Sequence, residues 1–119
     1  MPLSPEAVIA GQLDAYNAKD IDTFLTFWAP SAQIFEHPAT LMAAGHAEIR
    51  ARHEIRFQEP DLAANLLHRA VLGSKVIDHE RVTRNFPEGP GTIEVGAVYE
   101  VKDGLIEKAW FVFGEKALR

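Results

Sequence analysis

The tripeptide Glu59-Pro60-Asp61 divides this chain into two parts whose apolar residues follow different periods, and any fold must bury both. Before it the spacing is helical. After it come runs rich in Val, Ile and Thr, separated by turn residues. Ser4-Pro5-Glu6 reads as a helix start, with a serine cap, proline in the first turn and an acid beside it. Ile9, Leu13 and Tyr16 then share one face, with Gln12 four residues before Tyr16. Asp20 is placed to cap a second helix carrying Ile21, Phe24, Leu25 and Trp28 inward, ended by Ala29-Pro30-Ser31. A short strand is expected over 33–38, irregular chain over 39–44, and a third helix over 46–57 with Ile49, His53 and Phe57 on one side.

Strands are expected over 62–72, 75–84, 92–101 and 105–113, with the Gly73-Ser74 and Lys102-Asp103-Gly104 turns between partners and a loop over 85–91. Helices followed by an antiparallel sheet make an α+β layer fold, and 119 residues suffice for one domain, 1–119, with one core. The net charge of −5 is spread without blocks, which argues against a nucleic-acid partner. No apolar run approaches the roughly 20 residues that span a bilayer, and no signal peptide opens the chain, so no membrane partner and a cytoplasmic location are expected. The absence of cysteine excludes disulfides, thiolate nucleophiles and Cys-based zinc sites.

Few polar residues stand out. In Ile34-Phe35-Glu36-His37-Pro38 an acid ends a strand just before a proline. At a pocket mouth, burial would raise its pKa and make it a usable base; the alternative is a strand that ends in surface polar groups. Asp78-His79-Glu80-Arg81 resembles a metal cluster, but strand alternation sends adjacent side chains to opposite faces. His46 and His53 lack the i, i+4 spacing of a helical zinc pair. No metal is therefore expected. There is also no Gly-rich phosphate loop and no Ser nucleophile motif.

Several words of the sequence, in order, carry a resemblance: Tyr16-Asn17-Ala18-Lys19-Asp20-Ile21-Asp22, Phe27-Trp28-Ala29-Pro30, Ile34-Phe35-Glu36 before Pro38, Gly45 with Ile49, 99–106 and Phe113-Gly114-Glu115-Lys116. They cover almost the whole chain and resemble the nuclear transport factor 2-like superfamily, in its SnoaL-like and steroid delta-isomerase-like branches. The resemblance implies a cystatin-like fold. In it a curved antiparallel sheet forms a cone, three helices close one side, an apolar cavity opens between them, and members pair as homodimers through the outer face of the sheet. In the steroid isomerases a first-strand carboxylate moves a proton, while a first-helix tyrosine and a protonated acid on a later strand hold the enolate oxygen.

Carried over by position, Glu36 falls on the base, Gln12 on the tyrosine with Tyr16 one turn away, and Ala97 on the second acid. Two of the three positions depart from the pattern, which argues against steroid isomerisation itself. Trp28, Tyr99, Phe111 and Phe113 are expected as core aromatics, some of them cavity wall. Matching the 75–84 strand to the family turns Ile77, His79, Arg81 and Thr83 into the cone, whereas Val76 and Val82 on the other face keep the opposite parity open. Two functions stay open. One is cofactor-free proton transfer on a small, mostly apolar molecule, with Glu36 as base and Gln12, Tyr16, His79 and Arg81 orienting the substrate. The other is a non-catalytic module that binds a ligand or serves as a dimeric scaffold. A protein-transport adaptor is a weaker third.

Overall fold

The computed structural model describes residues 3–119. Its elements run α1 (Pro5–Asn17), α2 (Ile21–Leu25), β1 (Trp28–Glu36), β2 (Thr40–Ala44), α3 (Gly45–Arg56), β3 (Ala63–Leu72), β4 (Lys75–Phe86), β5 (Gly89–Lys102) and β6 (Leu105–Leu118). The six strands form one sheet in the order β2-β1-β6-β5-β4-β3. Every neighbouring pair is antiparallel except β1 and β6. The architecture is α+β, a curved sheet with three helices.

Local chemistry sets the element ends. Ser4 Oγ accepts the Ala7 N–H at 3.2 Å, and Asp20 accepts the Thr23 N–H at 3.1 Å, so both early helices are capped by their own side chains. Asp103 and Gly104 both have positive φ (54° and 78°), which the tight turn between β5 and β6 requires. Gly11 serves another purpose: a Cβ there would lie 2.5 Å from the Phe27 ring, so glycine lets α1 pass this aromatic without displacing it.

α1 lies against β3, β4 and β5, α3 lies against β1 and β2, and α2 touches both helices. Asn17 fastens the end of α1 to β3: its Oδ1 accepts the Ala64 N–H at 2.8 Å while its Nδ2 donates to the Ala64 carbonyl at 2.9 Å. Burying Val8 and Ile9 completely contributes about 2 kcal/mol each. The apolar interior falls into two clusters. The larger holds Phe24, Trp28, Ile34, Ile49, Val76 and Tyr99, and the smaller holds Leu13, Leu62, Ala64, Val82 and Val95. Tyr16, Phe57 and Phe111 pack against both, so they mark the seam between them.

Three expectations about the elements change. Trp28 does not end α2 but opens β1, because it pairs with Ile106 of β6, and the Ile106 N–H donates to the Phe27 carbonyl at 2.8 Å. Residues 40–44 are not irregular; they add an edge strand on β1. The 85–91 loop shrinks to a turn at Pro87-Glu88, since β4 and β5 stay paired through Phe86 and Gly89. Cations hold that end together, with Arg84 and Lys116 each over the Phe86 ring and Lys116 also paired with Glu88.

Candidate functional site: a buried carboxyl in a cavity between two core clusters

A cavity opens at the seam between the clusters. About 80 Å³ of it admits the centre of a water molecule, within an empty space of about 710 Å³ that includes its open mouth. α1 supplies Gln12, Leu13 and Tyr16, and α3 supplies Arg52, His53 and Arg56. β4 supplies Glu80, Val82 and Arg84, while Tyr99 and Phe111 come from β5 and β6. Phe24 and Trp28 complete an aromatic wall in which ring centroids follow one another at 5.6 Å (Phe24–Trp28), 6.3 Å (Trp28–Tyr99) and 6.2 Å (Tyr99–Phe111).

The inner face of β4 reads Val76, Asp78, Glu80, Val82. Two carboxyls on one buried strand face need partners or protons. Asp78 has a partner: Arg69 on β3 donates through Nε at 2.7 Å and Nη2 at 2.9 Å, a bidentate pair with Asp78 fully buried. Glu80 has none. It is 6% exposed, and its Oε2 is buried without a hydrogen-bond partner among the described residues. Burial raises its pKa to about 7, the negative charge of Asp78 pushes the same way, and Arg69 opposes more weakly. Near neutral pH this carboxyl is poised between its two protonation states.

Apart from Asp78, its polar neighbours and the polar groups that share the cavity with it are donors or neutral groups. Gln12 Nε2 donates to Tyr99 Oη at 3.4 Å, which leaves the tyrosine proton free to point elsewhere. The Tyr99 hydroxyl is pushed well above its ordinary pKa by burial and by the charges of Glu80 and Asp78, so it stays protonated. Burial raises Tyr16 in the same direction. Trp28 Nε1 is a second buried polar atom without a partner among the described residues. His53 lies against the Phe24 ring at 4.6 Å, and its Nδ1 is 2.8 Å from the Ile49 carbonyl. Burial lowers its pKa to about 4, so the ring is neutral; Nδ1 donates to that carbonyl and Nε2 is left as an acceptor. Among the described residues no group of three or more His, Asp or Glu is arranged to hold a metal ion.

Gln12, Tyr16, Trp28, Tyr99, Phe111 and Phe113 are all brought to the cavity wall. Four expected site residues are not. Glu36 keeps the facing of Ile34 and lies beside Phe111 in register, but β1 ends there and the residue is exposed and not part of the cavity lining. His79 and Arg81 correct the parity taken from the family match: both are exposed on the outer face, and His79 Nε2 meets Glu94 Oε1 at 2.6 Å. The reason is alternation, because burying Val76 and Val82 brings Asp78 and Glu80 inward with them. Ala97 is fully buried next to Asp78 in register, inside the packed core and not on the cavity wall. Glu80, His53, Arg52 and Arg56 were missed. The signal for Glu80 was the Val-x-Asp-x-Glu-x-Val alternation of 76–82, and the signal for the arginines was their i, i+4 spacing beside the Ile49–His53 stripe.

Solved structures share this architecture. A cystatin-fold protein from Novosphingobium aromaticivorans superposes with a TM-score of 0.84 at 23% identity, covering 92% of this chain and 97% of its own. A candidate polyketide cyclase from Sinorhizobium meliloti gives 0.71 at 23% identity (88% and 93% covered), and a candidate ketosteroid isomerase from Kribbella flavida gives 0.79 at 15% (97% and 80%). A search of curated protein sequences gave no match. Among family models, that of the SnoaL-like domain matches residues 9–109. The chain belongs to the SnoaL-like domain family, within the nuclear transport factor 2-like superfamily.

Proposed function

We propose that this protein binds a small, mostly apolar organic molecule in the cavity and moves a proton on it with Glu80, without a cofactor. The observation that carries this reading is the carboxyl of Glu80, unpaired at Oε2 on the cavity wall and held near a pKa of 7. Such a group can take a proton from carbon and return it at neutral pH. Tyr99, with Gln12 fixing its oxygen, and the Trp28 indole supply neutral donors for a developing enolate oxygen. The similarity to a candidate polyketide cyclase and a candidate ketosteroid isomerase fits enolate chemistry. Glu36, exposed and outside the lining, is assigned no part in the proton transfer.

The test is exchange of the α-hydrogens of 2-tetralone for deuterium, followed by NMR. The protein should accelerate it near neutral pD, and Glu80→Gln should remove the acceleration while the fold persists. Acceleration that survives in Glu80→Gln takes the role of base away from this residue. A second reading, a binding module without chemistry, draws on the exposure of Glu36, which leaves the family's base position outside the cavity. Binding of 2-tetralone without accelerated exchange would select it.

The homodimer belongs to the same proposal. Ile77, Val98, Trp110 and Phe35 stand in register across four strands on the face opposite the helices, an apolar row suited to a second copy. A monomer by light scattering at micromolar concentration would remove it.

A further inference from the structure

The three arginines on the cavity wall are unequally served. Arg84 is paired bidentately with Glu59, with Nε to Oε1 at 2.8 Å and Nη2 to Oε2 at 2.9 Å. Arg56 Nε shares the same carboxylate at 3.5 Å. Arg52, one helical turn before Arg56 on α3, is half-buried and has no acid within ion-pair distance among the described residues. Three guanidiniums are met by Glu59, by exposed Glu36 and, once it has lost its proton, by Glu80, so one positive charge is in excess while Glu80 is protonated. Desolvation and the like charges of Arg56 and Arg84 both act against the charge of Arg52, while the pull of Glu36 is the weakest influence on it.

A guanidinium withdrawn from water beside two others is costly to keep unless an anion completes it. We propose that the ligand of this cavity is an organic acid whose carboxylate is held by Arg52, with Arg56 adding to the field, while its apolar body lies on the aromatic wall. This inference rests on the ligand-binding reading above and narrows it to amphiphilic carboxylates. The arrangement separates two tasks. The arginines hold a permanent negative charge, and Glu80, on β4, meets the uncharged portion that bears the exchangeable proton. A carboxylate placed beside Glu80 would instead meet the charge of Asp78.

The experiment compares 2-naphthoate with its neutral counterpart 2-naphthamide by titration calorimetry, on the wild type, Arg52→Gln and Arg52→Lys. The wild type should prefer naphthoate by about tenfold or more, as a charge-assisted pair requires. Arg52→Gln should erase that preference and leave naphthamide binding within about twofold, as expected if only the charged contact is lost. Arg52→Lys should keep part of the preference, which a merely structural arginine would not explain. Equal binding of both compounds by the wild type overturns the organic-acid inference and leaves the cavity reading standing. Failure of both compounds to bind overturns the organic-acid inference and the cavity reading together. A preference that persists in a folded Arg52→Gln removes Arg52 from the role.

Discussion

Asp78 and Glu80 lie two residues apart on the same buried face of β4, yet they end in opposite states. Asp78 is closed off by the fork of Arg69 from the neighbouring strand. Glu80 meets no such cation and opens on the cavity. Strand, facing and functional group are shared, so the difference comes from what covers each one. A carboxylate sealed by a guanidinium is part of the scaffold. One left without a partner in a low dielectric keeps its proton and becomes chemistry in waiting.

The comparison can be broken most forcefully at its sealed end. Asp78→Asn leaves Arg69 nearly buried and without its counter-charge, and should cost about 3–5 kcal/mol in urea unfolding. A loss below about 1 kcal/mol would place Asp78 with ordinary surface pairs. At the open end the effect is one of pH. Because folding raises the pKa of Glu80 from 4.5 to about 7, the folded state holds a proton that the unfolded chain has released. Stability from this group is therefore present below about pH 4.5 and is lost as pH rises to about 7, by about 3 kcal/mol relative to Glu80→Gln. Denaturation curves for the two proteins at several pH values test the slope.

His53 sharpens the comparison with the opposite sign. Its pKa falls from 6.5 to about 4, so the wild type should lose about 3 kcal/mol relative to His53→Phe as pH falls across that window. The two slopes oppose each other between about pH 4.5 and 6.5, and each single variant should unmask the other. The smallest effect belongs to the outer face. His79→Ala removes an exposed pair with Glu94 and should change stability by no more than about 0.5 kcal/mol, with naphthoate binding unaltered. A binding loss there would restore the parity that the sheet contradicts.

The outline of the fold was legible because its punctuation is local. Ser4-Pro5, Asp20, Gly73-Ser74 and Asp103-Gly104 act through their own backbone neighbourhoods, and each sits at the end or turn expected of it. Trp28 and residues 40–44 were misread because partners distant in sequence decide them: β6 recruits the first, and β1 the second. The aromatic wall was legible as a list of large apolar residues. The facing of β4 was not, because only Val76 and Val82 mark the inner side, and a face carrying two acids does not look like an interior. Glu36 was overvalued for a related reason. The strand expected over 33–38 stops at Glu36, and one residue beyond cover is enough to return a carboxylate to water.

The indole of Trp28 carries a practical consequence. It sits 2% exposed, in contact with the Phe24 and Tyr99 rings, with its N–H turned to no acceptor among the described residues. The second tryptophan, Trp110, is stacked on Phe35 on the outer side of the sheet. An oxygen-bearing guest that accepts the Trp28 hydrogen should shift its emission and leave that of Trp110 unchanged. The fold thus contains its own optical gauge of occupancy, readable without a dye or a label.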